Sequence, residues 1–153
     1  MANNINSVHI SGNLAADPRV VGEGSKVRTL FTVAVNKFNW DGTPVLGEDG
    51  KQLANFVDVT AFGPLGRNAA KSFKKGMAVL VAGELNSYST KATLEGESEV
   101  KNIGRMGVTA SIAGPDLTWA EAVVTRNEKG SNSGNAQGGS AASSAPSSGA
   151  DDF

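Results

Sequence analysis

The sequence contains no cysteine. A disulfide framework, a thiolate metal site and a cysteine nucleophile are therefore excluded, and the absence agrees with a reducing compartment. The first residues show no basic stretch followed by an apolar run, which is the pattern of a signal peptide. No apolar run in the chain approaches the roughly 20 residues that a membrane-spanning helix requires. We expect a soluble protein of the cytoplasm with no membrane partner.

Groups that could perform catalysis or bind a metal are also scarce. His9 is the only histidine, and it lies on the polar side of the first predicted strand, where a surface or interface role is much commoner than a catalytic one. Gly22-Glu23-Gly24 lacks the third glycine of a dinucleotide-binding motif, and no phosphate-binding loop of the Gly-x-x-x-x-Gly-Lys-Ser/Thr type occurs. No cluster of His, Asp and Glu has the spacing of transition-metal ligands. The sequence therefore predicts no enzyme, no metal site and no cofactor.

Excess charge of either sign is missing too, because the net charge is −1 over 153 residues. Residues 1–127 carry 13 basic and 12 acidic side chains, whereas residues 128–153 carry one lysine and three acids. A near-neutral body that binds a polyanion must use a local basic patch together with contacts other than charge.

The composition changes abruptly near Arg126. Of the 26 residues from 128 to 153, 17 are Gly, Ser or Ala, and Phe153 is the only large apolar side chain. Such a segment cannot bury enough apolar surface to offset its ordering entropy. We therefore predict a folded domain over residues 1–127 and a disordered tail over residues 128–153, with Asp151, Asp152 and Phe153 at its tip.

Two-residue alternation of apolar and polar side chains predicts a mostly β domain. The first predicted strand covers residues 8–14. The second, Val27–Phe38, is marked by its high β-branched and aromatic content. The third and fourth are Asn55–Gly63 and Met77–Tyr88, followed by one or two strands between about Glu97 and Ala113, with interruptions near Gly104 and Gly107, and by a short last strand over Leu117–Arg126.

One segment has helical spacing instead. Leu65, Ala69 and Phe73 fall on one helical face, and Gly76 follows the last basic residues as a C-cap would. Three strands, one helix and further strands form the order of an OB-fold barrel, although small β-sandwiches also fit. We predict an all-β fold with one helix, a five-stranded OB-fold barrel and an extra C-terminal strand.

The most informative strand reads NFVDVTAFG, residues 55–63. Its wholly apolar side must face the core, because burying an unpaired aspartate would be costly; this side comprises Val57, Val59 and Ala61. The opposite side meets solvent and comprises Phe56, Asp58, Thr60 and Phe62. Two exposed rings on one strand indicate a partner surface, unless a loop or a second subunit covers them.

Further rings lie at strand ends or on polar faces. Trp40 lies where the second strand enters a long loop, and Tyr88 lies opposite the apolar side of the fourth strand. Basic side chains are scattered among these rings at Arg28, Lys37, Lys51 and Lys91. Rings on which bases stack along a weakly basic groove are typical of sequence-neutral single-strand binders, with roughly 1–3 kcal/mol per stacked base.

The chain resembles the bacterial single-stranded DNA-binding proteins over roughly residues 5–126. The ending of this region is most similar to actinobacterial members or to viruses of such hosts. The order and spacing of the matching stretches carry the resemblance, and these stretches are VHISGNLAADPRV (8–20), FTVAV (31–35), FVDVTAFGPLGRNAAKSFKKG (56–76), VLVAGEL (79–85) and GPDLTWAEAVV (114–124).

This resemblance implies an OB-fold, usually a homotetramer, that coats single-stranded DNA in replication, recombination and repair. It implies base stacking by Phe56 and Phe62, with Trp40 near a third stacking position. The family's fourth aromatic aligns with Thr90, and Tyr88, two residues earlier on the same face, completes the predicted set. The phosphate contacts predicted for the four basic residues rest on position alone.

The resemblance also implies functions for the end of the chain. The family's tail ends in acids followed by Pro and Phe, and it docks into pockets of replication and repair proteins; here Asp151, Asp152 and Phe153 lack the preceding proline. In actinobacterial members a further strand clasps subunits together, and Leu117–Val124 is the corresponding segment. An alternative is an OB-fold interaction module of the replication machinery that binds little DNA itself.

Overall fold

The structure is a computed structural model that describes residues 3–93, 96 and 99–129. The predicted disorder of the tail and the tip residues Asp151, Asp152 and Phe153 therefore lie outside the described residues. A single 3-10 turn, Gly24–Lys26, accompanies the regular elements. These elements are β1 (Val8–Leu14), β2 (Arg19–Val21), β3 (Arg28–Asn36), β4 (Ala54–Phe62), α1 (Gly63–Ser72), β5 (Ala78–Thr93) and β6 (Val100–Pro115).

Five of the strands close into a ring. The strand order is β1-β5-β6-β4-β3-β2, and β1 also pairs with β3 through Asn13–Ala34 and Leu14–Val33. At this closure a Cβ on Gly12 would overlap the carbonyl oxygen of Ala34, so only glycine allows the two backbones to approach so closely. The short β2 pairs with the other half of the same β3 edge. The predicted OB-fold barrel, with its helix between the third and fourth ring strands, is confirmed.

The core lies inside this ring and under the helix. Val33, Val59, Val79 and Val81 are each at most 1% exposed. The ring of Phe31 meets that of another buried residue, Phe73, edge to face at 5.6 Å. The alternation along β3, β4 and β5 therefore predicts the inward side correctly at these four valines, since each is flanked by polar or more exposed residues.

A buried polar contact joins the helix to the barrel, in addition to the apolar packing of Ala69. Thr29, which is 2% exposed, donates a hydrogen bond from Oγ1 to the Gly66 carbonyl oxygen at 2.8 Å. The helix ends at Ser72, and the Phe73 N–H donates to the Ala69 carbonyl. The predicted C-cap role of Gly76 is wrong: this residue, with φ +85°, lies in the turn in which the Met77 N–H donates to the Lys74 carbonyl.

β5 and β6 are longer than the sequence predicts. Each has 16 residues, and β6 runs through Gly104 and Gly107 without a break. The predicted interruptions are wrong because the two strands pair with each other along their length and so satisfy the backbone groups on either side of both glycines. The register shifts once, where Ala82 pairs with Ile112 but Gly83 pairs with Ala110, which leaves Ser111 as a β-bulge.

The predicted strand over Leu117–Arg126 is wrong for the single chain. β6 ends at Pro115, and residues 116–129 form no strand. The Asp116 carboxylate instead accepts hydrogen bonds from the Thr118 N–H at 2.9 Å and from the Thr118 Oγ1 at 2.6 Å. Such a turn redirects the chain, and no neighbouring strand in the described protein offers these residues a ladder partner. The sixth strand of the sheet is β2.

The chain divides into two units, Met1–Ala122 and Val123–Phe153. The first contains every helix and strand given above, and the described part of the second, residues 123–129, contains none. A boundary after residue 127 stays a prediction. Among the described residues, no helical stretch has the length and apolarity that a bilayer span requires.

Candidate nucleic-acid interface

The outward faces of β3 and β4 form one continuous surface. The cross-strand pairs Arg28–Phe62, Thr32–Asp58 and Ala34–Phe56 place these side chains on the same side of the sheet. Phe56 is 68% exposed and Phe62 is 50% exposed. The inward residues of β4 are Val57, Val59 and Ala61, of which the last two are at most 1% exposed. The predicted sidedness of this strand is confirmed.

An open groove of about 560 Å³ crosses this surface. It extends over the outward faces of β2, β3, β4, β6 and β5, and we call it the outer groove. The side chains that matter most for its chemistry are Arg19, Arg28, Thr32, Asp58, Phe62 and Tyr88.

A chain of hydrogen bonds ties three strands together at the centre of the outer groove. Thr32 donates from Oγ1 to Asp58 Oδ1 at 2.9 Å, and Tyr88 donates from its hydroxyl to Asp58 Oδ2 at 2.9 Å. Beside them, Asn86 donates from Nδ2 to Thr109 Oγ1 at 2.7 Å. Both oxygens of the Asp58 carboxylate therefore have a fixed donor, which holds the carboxylate in one orientation.

Tyr88 reaches Asp58 by crossing over β6 at Gly107. A Cβ on Gly107 would lie 3.1 Å from Tyr88 Cε1 and 3.0 Å from the Asp58 carbonyl oxygen. The absence of a side chain at this position thus leaves the space in which the ring lies. Partial burial of the phenol, its hydrogen bond to Asp58 and the negative charge of Asp58 raise the pKa of Tyr88, against a smaller lowering effect of Arg105. The phenol therefore stays protonated at neutral pH and acts as a donor.

The charges along the outer groove nearly balance. Arg28, beside Phe62, and Arg19, which pairs with Leu30 across β2 and β3, are basic. Asp17 and Asp58 are acidic, and Asp17 Oδ1 accepts a hydrogen bond from the Lys75 N–H at 2.8 Å. A ligand that is negatively charged would gain from the two arginines but not from a strongly positive surface.

The hairpin between β3 and β4 carries three of the predicted site residues away from the outer groove. The hairpin has two tips, closed by the bridges Phe38–Pro44 and Leu46–Gln52. Trp40 lies at the first tip and is 99% exposed. There Thr43 donates from Oγ1 and N–H to Asp41 Oδ1 at 2.7 and 2.9 Å. These two hydrogen bonds lower the pKa of Asp41 and fix the tip that presents the indole ring. Lys37 lies at the base, and Lys51, at the second tip, forms an exposed 3.6 Å ion pair with Asp49.

The structure thus brings only some of the predicted residues together. Arg28, Phe62 and Tyr88 line the outer groove, and Phe56 continues the same face of β4. Lys91 pairs with Asn102 toward the far ends of β5 and β6. That these residues contact DNA remains a prediction.

Sequence reasoning missed two groove residues, Arg19 and Asn86. Arg19 lies in a three-residue strand that alternation does not reveal. Asn86 lies within the fourth predicted strand, Met77–Tyr88, and the alternation of that strand places it on the same outward face as Tyr88. Sequence reasoning also missed Arg105, which pairs with Tyr88 across β5 and β6.

The sequence of the barrel matches that of a known protein family. Residues 5–103 match the Single-strand binding protein family. The chain belongs to the single-strand binding protein family. This membership confirms the predicted family and agrees with the prediction that the chain is not an enzyme.

Individual members of the single-strand binding protein family support the same conclusion. The chain is similar to a single-stranded DNA-binding protein of Corynebacterium glutamicum, with 34% identity over 83% of this chain and 54% of that protein. A single-stranded DNA-binding protein of Paenarthrobacter aurescens is 32% identical over 87% of this chain and 74% of that protein. The match thus spans about half the length of the first relative. Both relatives are actinobacterial, as the sequence resemblance predicts.

Proposed function

We propose that this protein binds single-stranded DNA with little sequence preference, in the replication, recombination and repair of DNA in the cytoplasm. The observation that carries the proposal is the pair of exposed rings, Phe56 and Phe62, on one face of β4 beside the outer groove. Exposed rings in or beside a groove of balanced charge favour base stacking over a purely electrostatic contact.

Different side chains stack on bases and contact phosphates. Phe56 and Phe62 stack bases, Trp40 extends the stacking surface from the hairpin tip, and Tyr88 offers its 41% exposed ring. Phosphates are contacted by the basic residues on or near this face, namely Arg28, Lys37, Lys51 and Lys91. Arg19 joins them because it lines the outer groove.

We further propose that the protein assembles as a homotetramer. Leu80 and Ile112, on the outward faces of β5 and β6, are 55% and 70% exposed. Apolar side chains left on an outward sheet face support an interface with another protein surface. Light scattering, with and without oligo(dT), measures the assembly mass, and a monomer at micromolar concentration would exclude the tetramer.

The tail tip is proposed to recruit replication and repair proteins. Asp151 and Asp152 offer negative charge next to the ring of Phe153, and a ring with adjacent charge suits a basic, partly apolar pocket. The exposed Leu80 and Ile112 also keep the second function open, in which the barrel is an interaction module and binds little DNA.

Fluorescence quenching distinguishes the two functions. Trp40 and Trp119 are the only tryptophans, so a Trp119→Phe background reports on Trp40 alone. Replacing Phe56 and Phe62 together with Ala should lower the affinity for oligo(dT) by at least about 30-fold, because each stacked base contributes roughly 1–3 kcal/mol.

The control variant carries Trp119→Ala in place of Trp119→Phe, which leaves no ring at a position that is 94% exposed in the unaltered protein and does not line the outer groove. It should bind oligo(dT) as the background does. Equal affinity of the double variant and the background would contradict base stacking by the two rings. Absence of any oligo(dT) binding by the unaltered protein would favour the interaction module.

A further inference from the structure

Asp58 is a carboxylate at the centre of a surface proposed to bind a polyanion. On β4 it lies two residues from Phe56 and four from Phe62, which corresponds to roughly 7 and 13 Å at about 3.3 Å per residue. Asp17, the other acid of the outer groove, comes from the turn before β2 rather than from between the two rings. A phosphate placed over the centre of the groove would therefore meet a like charge.

The Asp58 carboxylate retains accepting capacity. An ionised carboxylate has about four lone-pair sites, and the structure gives each oxygen one donor, Thr32 Oγ1 for Oδ1 and the Tyr88 hydroxyl for Oδ2. These two donors hold the carboxylate in place, while Asp58 is only partly buried and lines the open groove. A group that approaches from the groove thus meets an oriented acceptor.

Bases differ in what they offer to such an acceptor. Cytosine presents the N4 amino group as a donor, and an aspartate or glutamate that accepts from it is a recognised pairing. Thymine presents the O4 acceptor at the corresponding position. A base stacked on a neighbouring ring would hold its edge near Asp58, since the strand brings ring and carboxylate onto one face.

Resting on the proposed function, we propose that Asp58 is a base-selecting residue. Its carboxylate excludes phosphate from the centre of the outer groove and accepts a hydrogen bond from the amino group of a base. Asp58 thus raises the affinity for amino-bearing bases relative to thymine, and this contribution is superimposed on sequence-neutral stacking. The chemistry requires no covalent step and no cofactor.

The test compares the affinities for oligo(dC) and oligo(dT) of equal length, in mildly alkaline buffer where cytosine is not protonated. The ratio of the two affinities is the readout, because a general structural loss lowers both by the same factor. Asp58→Asn should lower the oligo(dC)-to-oligo(dT) affinity ratio at least about threefold, since a charged acceptor is replaced by a neutral amide that can also donate to thymine.

The matched control is Asp17→Asn, which removes the same charge from the outer groove without changing its centre. It should raise both affinities together and keep their ratio. Tyr88→Phe keeps the carboxylate and removes one of its donors, so the ratio should be at least that of the unaltered protein, even if Asp58→Asn fails to fold.

An unchanged ratio in a folded Asp58→Asn variant overturns the inference while the proposed function stands. The same conclusion follows if Asp17→Asn shifts the ratio as much as Asp58→Asn, or if Tyr88→Phe lowers it. Failure of the unaltered protein to bind either oligonucleotide would instead overturn the proposed function.

Discussion

Tyr88 connects parts of the chain that are distant in sequence. Its hydroxyl donates to Asp58, 30 residues earlier, and the strand that lies between them, β6, comes later in the chain than both. The contact buries part of a phenol and places it beside a negative charge, and both effects favour the protonated form. At the scale of the single residue, the ionisation of Tyr88 therefore reports on the centre of the outer groove.

Alkaline titration should show this directly. Because Tyr88 is the only tyrosine, phenolate absorbance follows it alone, and its pKa should lie above the ordinary tyrosine value. Asp58→Asn should lower that pKa toward the ordinary value by removing the charge and weakening the acceptor.

The same shift has a consequence for stability. A folded-state pKa above the unfolded one means that the folded protein binds the proton more tightly. The resulting stabilisation is present below pH about 10, the unfolded pKa of tyrosine, and is lost as pH rises through the folded pKa. Urea unfolding across this range should show a steeper decline for the unaltered protein than for Asp58→Asn. Identical titration curves for Tyr88 in the two proteins would contradict the contact.

The sequence predicts whether a side chain faces the core or the solvent when the local alternation of apolar and polar residues decides it. Phe56 and Phe62 could be placed outside because Val59 and Ala61, between them, had to be inside. The bond from Tyr88 to Asp58 could not be predicted, because it depends on the parallel pairing of β4 with β6, which no local pattern reports.

At the scale of the element, β6 shows why glycines were misread as interruptions. Gly104 and Gly107 are ordinary members of a 16-residue strand. The role of Gly107 lies in packing, since the Tyr88 ring occupies the space that a side chain would take. The incorrect strand over Leu117–Arg126 has a related cause, because β-branched and aromatic content indicates a strand only where a partner strand exists.

Two single-methyl substitutions on β6 should separate these roles. Gly107→Ala places a Cβ 3.0 Å from the Asp58 carbonyl oxygen and 3.1 Å from the Tyr88 ring, so the ring must shift. We expect a loss of roughly 1–3 kcal/mol in the free energy of unfolding, as for other overpacked sites. The pKa of Tyr88 should fall at the same time, as measured by phenolate absorbance.

Gly104→Ala is the control on the same strand, because a Cβ there meets no atom within 4 Å. It should leave both the unfolding free energy and the titration of Tyr88 nearly unchanged. Equal effects of the two substitutions would show that strand propensity, rather than contact with Tyr88, determines the cost.

At the scale of the whole molecule, the barrel and the end of the sequence differ in net charge. Residues 1–127 are nearly neutral, and residues 128–153 contribute three acids against one lysine. The outer groove repeats this balance, with two arginines and two aspartates among its lining residues. Composition alone predicts this weak electrostatic character, although it does not predict where the charges lie.

Salt dependence should be shallow as a result. The logarithmic salt slope for single strands changes by about −0.7 for each neutralised phosphate. The five basic residues proposed to contact phosphates therefore correspond to a slope no steeper than roughly −3.5 for an oligo(dT) that spans one subunit. Deleting residues 150–153 should leave the slope nearly the same, because the proposed phosphate contacts lie on the barrel and its hairpin. A slope of about −6 or steeper would contradict a binding mode dominated by stacking.

The bulge at Ser111 has an effect beyond its own neighbourhood. Val108 and Ala110 precede it in the core, Ala113 follows it against the core, and Ile112 stays 70% exposed. If Ser111 instead took a regular place in the ladder, strict alternation would turn Ile112 inward and Ala113 outward. One serine left out of the ladder thus allows a single strand to complete the barrel wall and still keep a branched aliphatic side chain on its outer face.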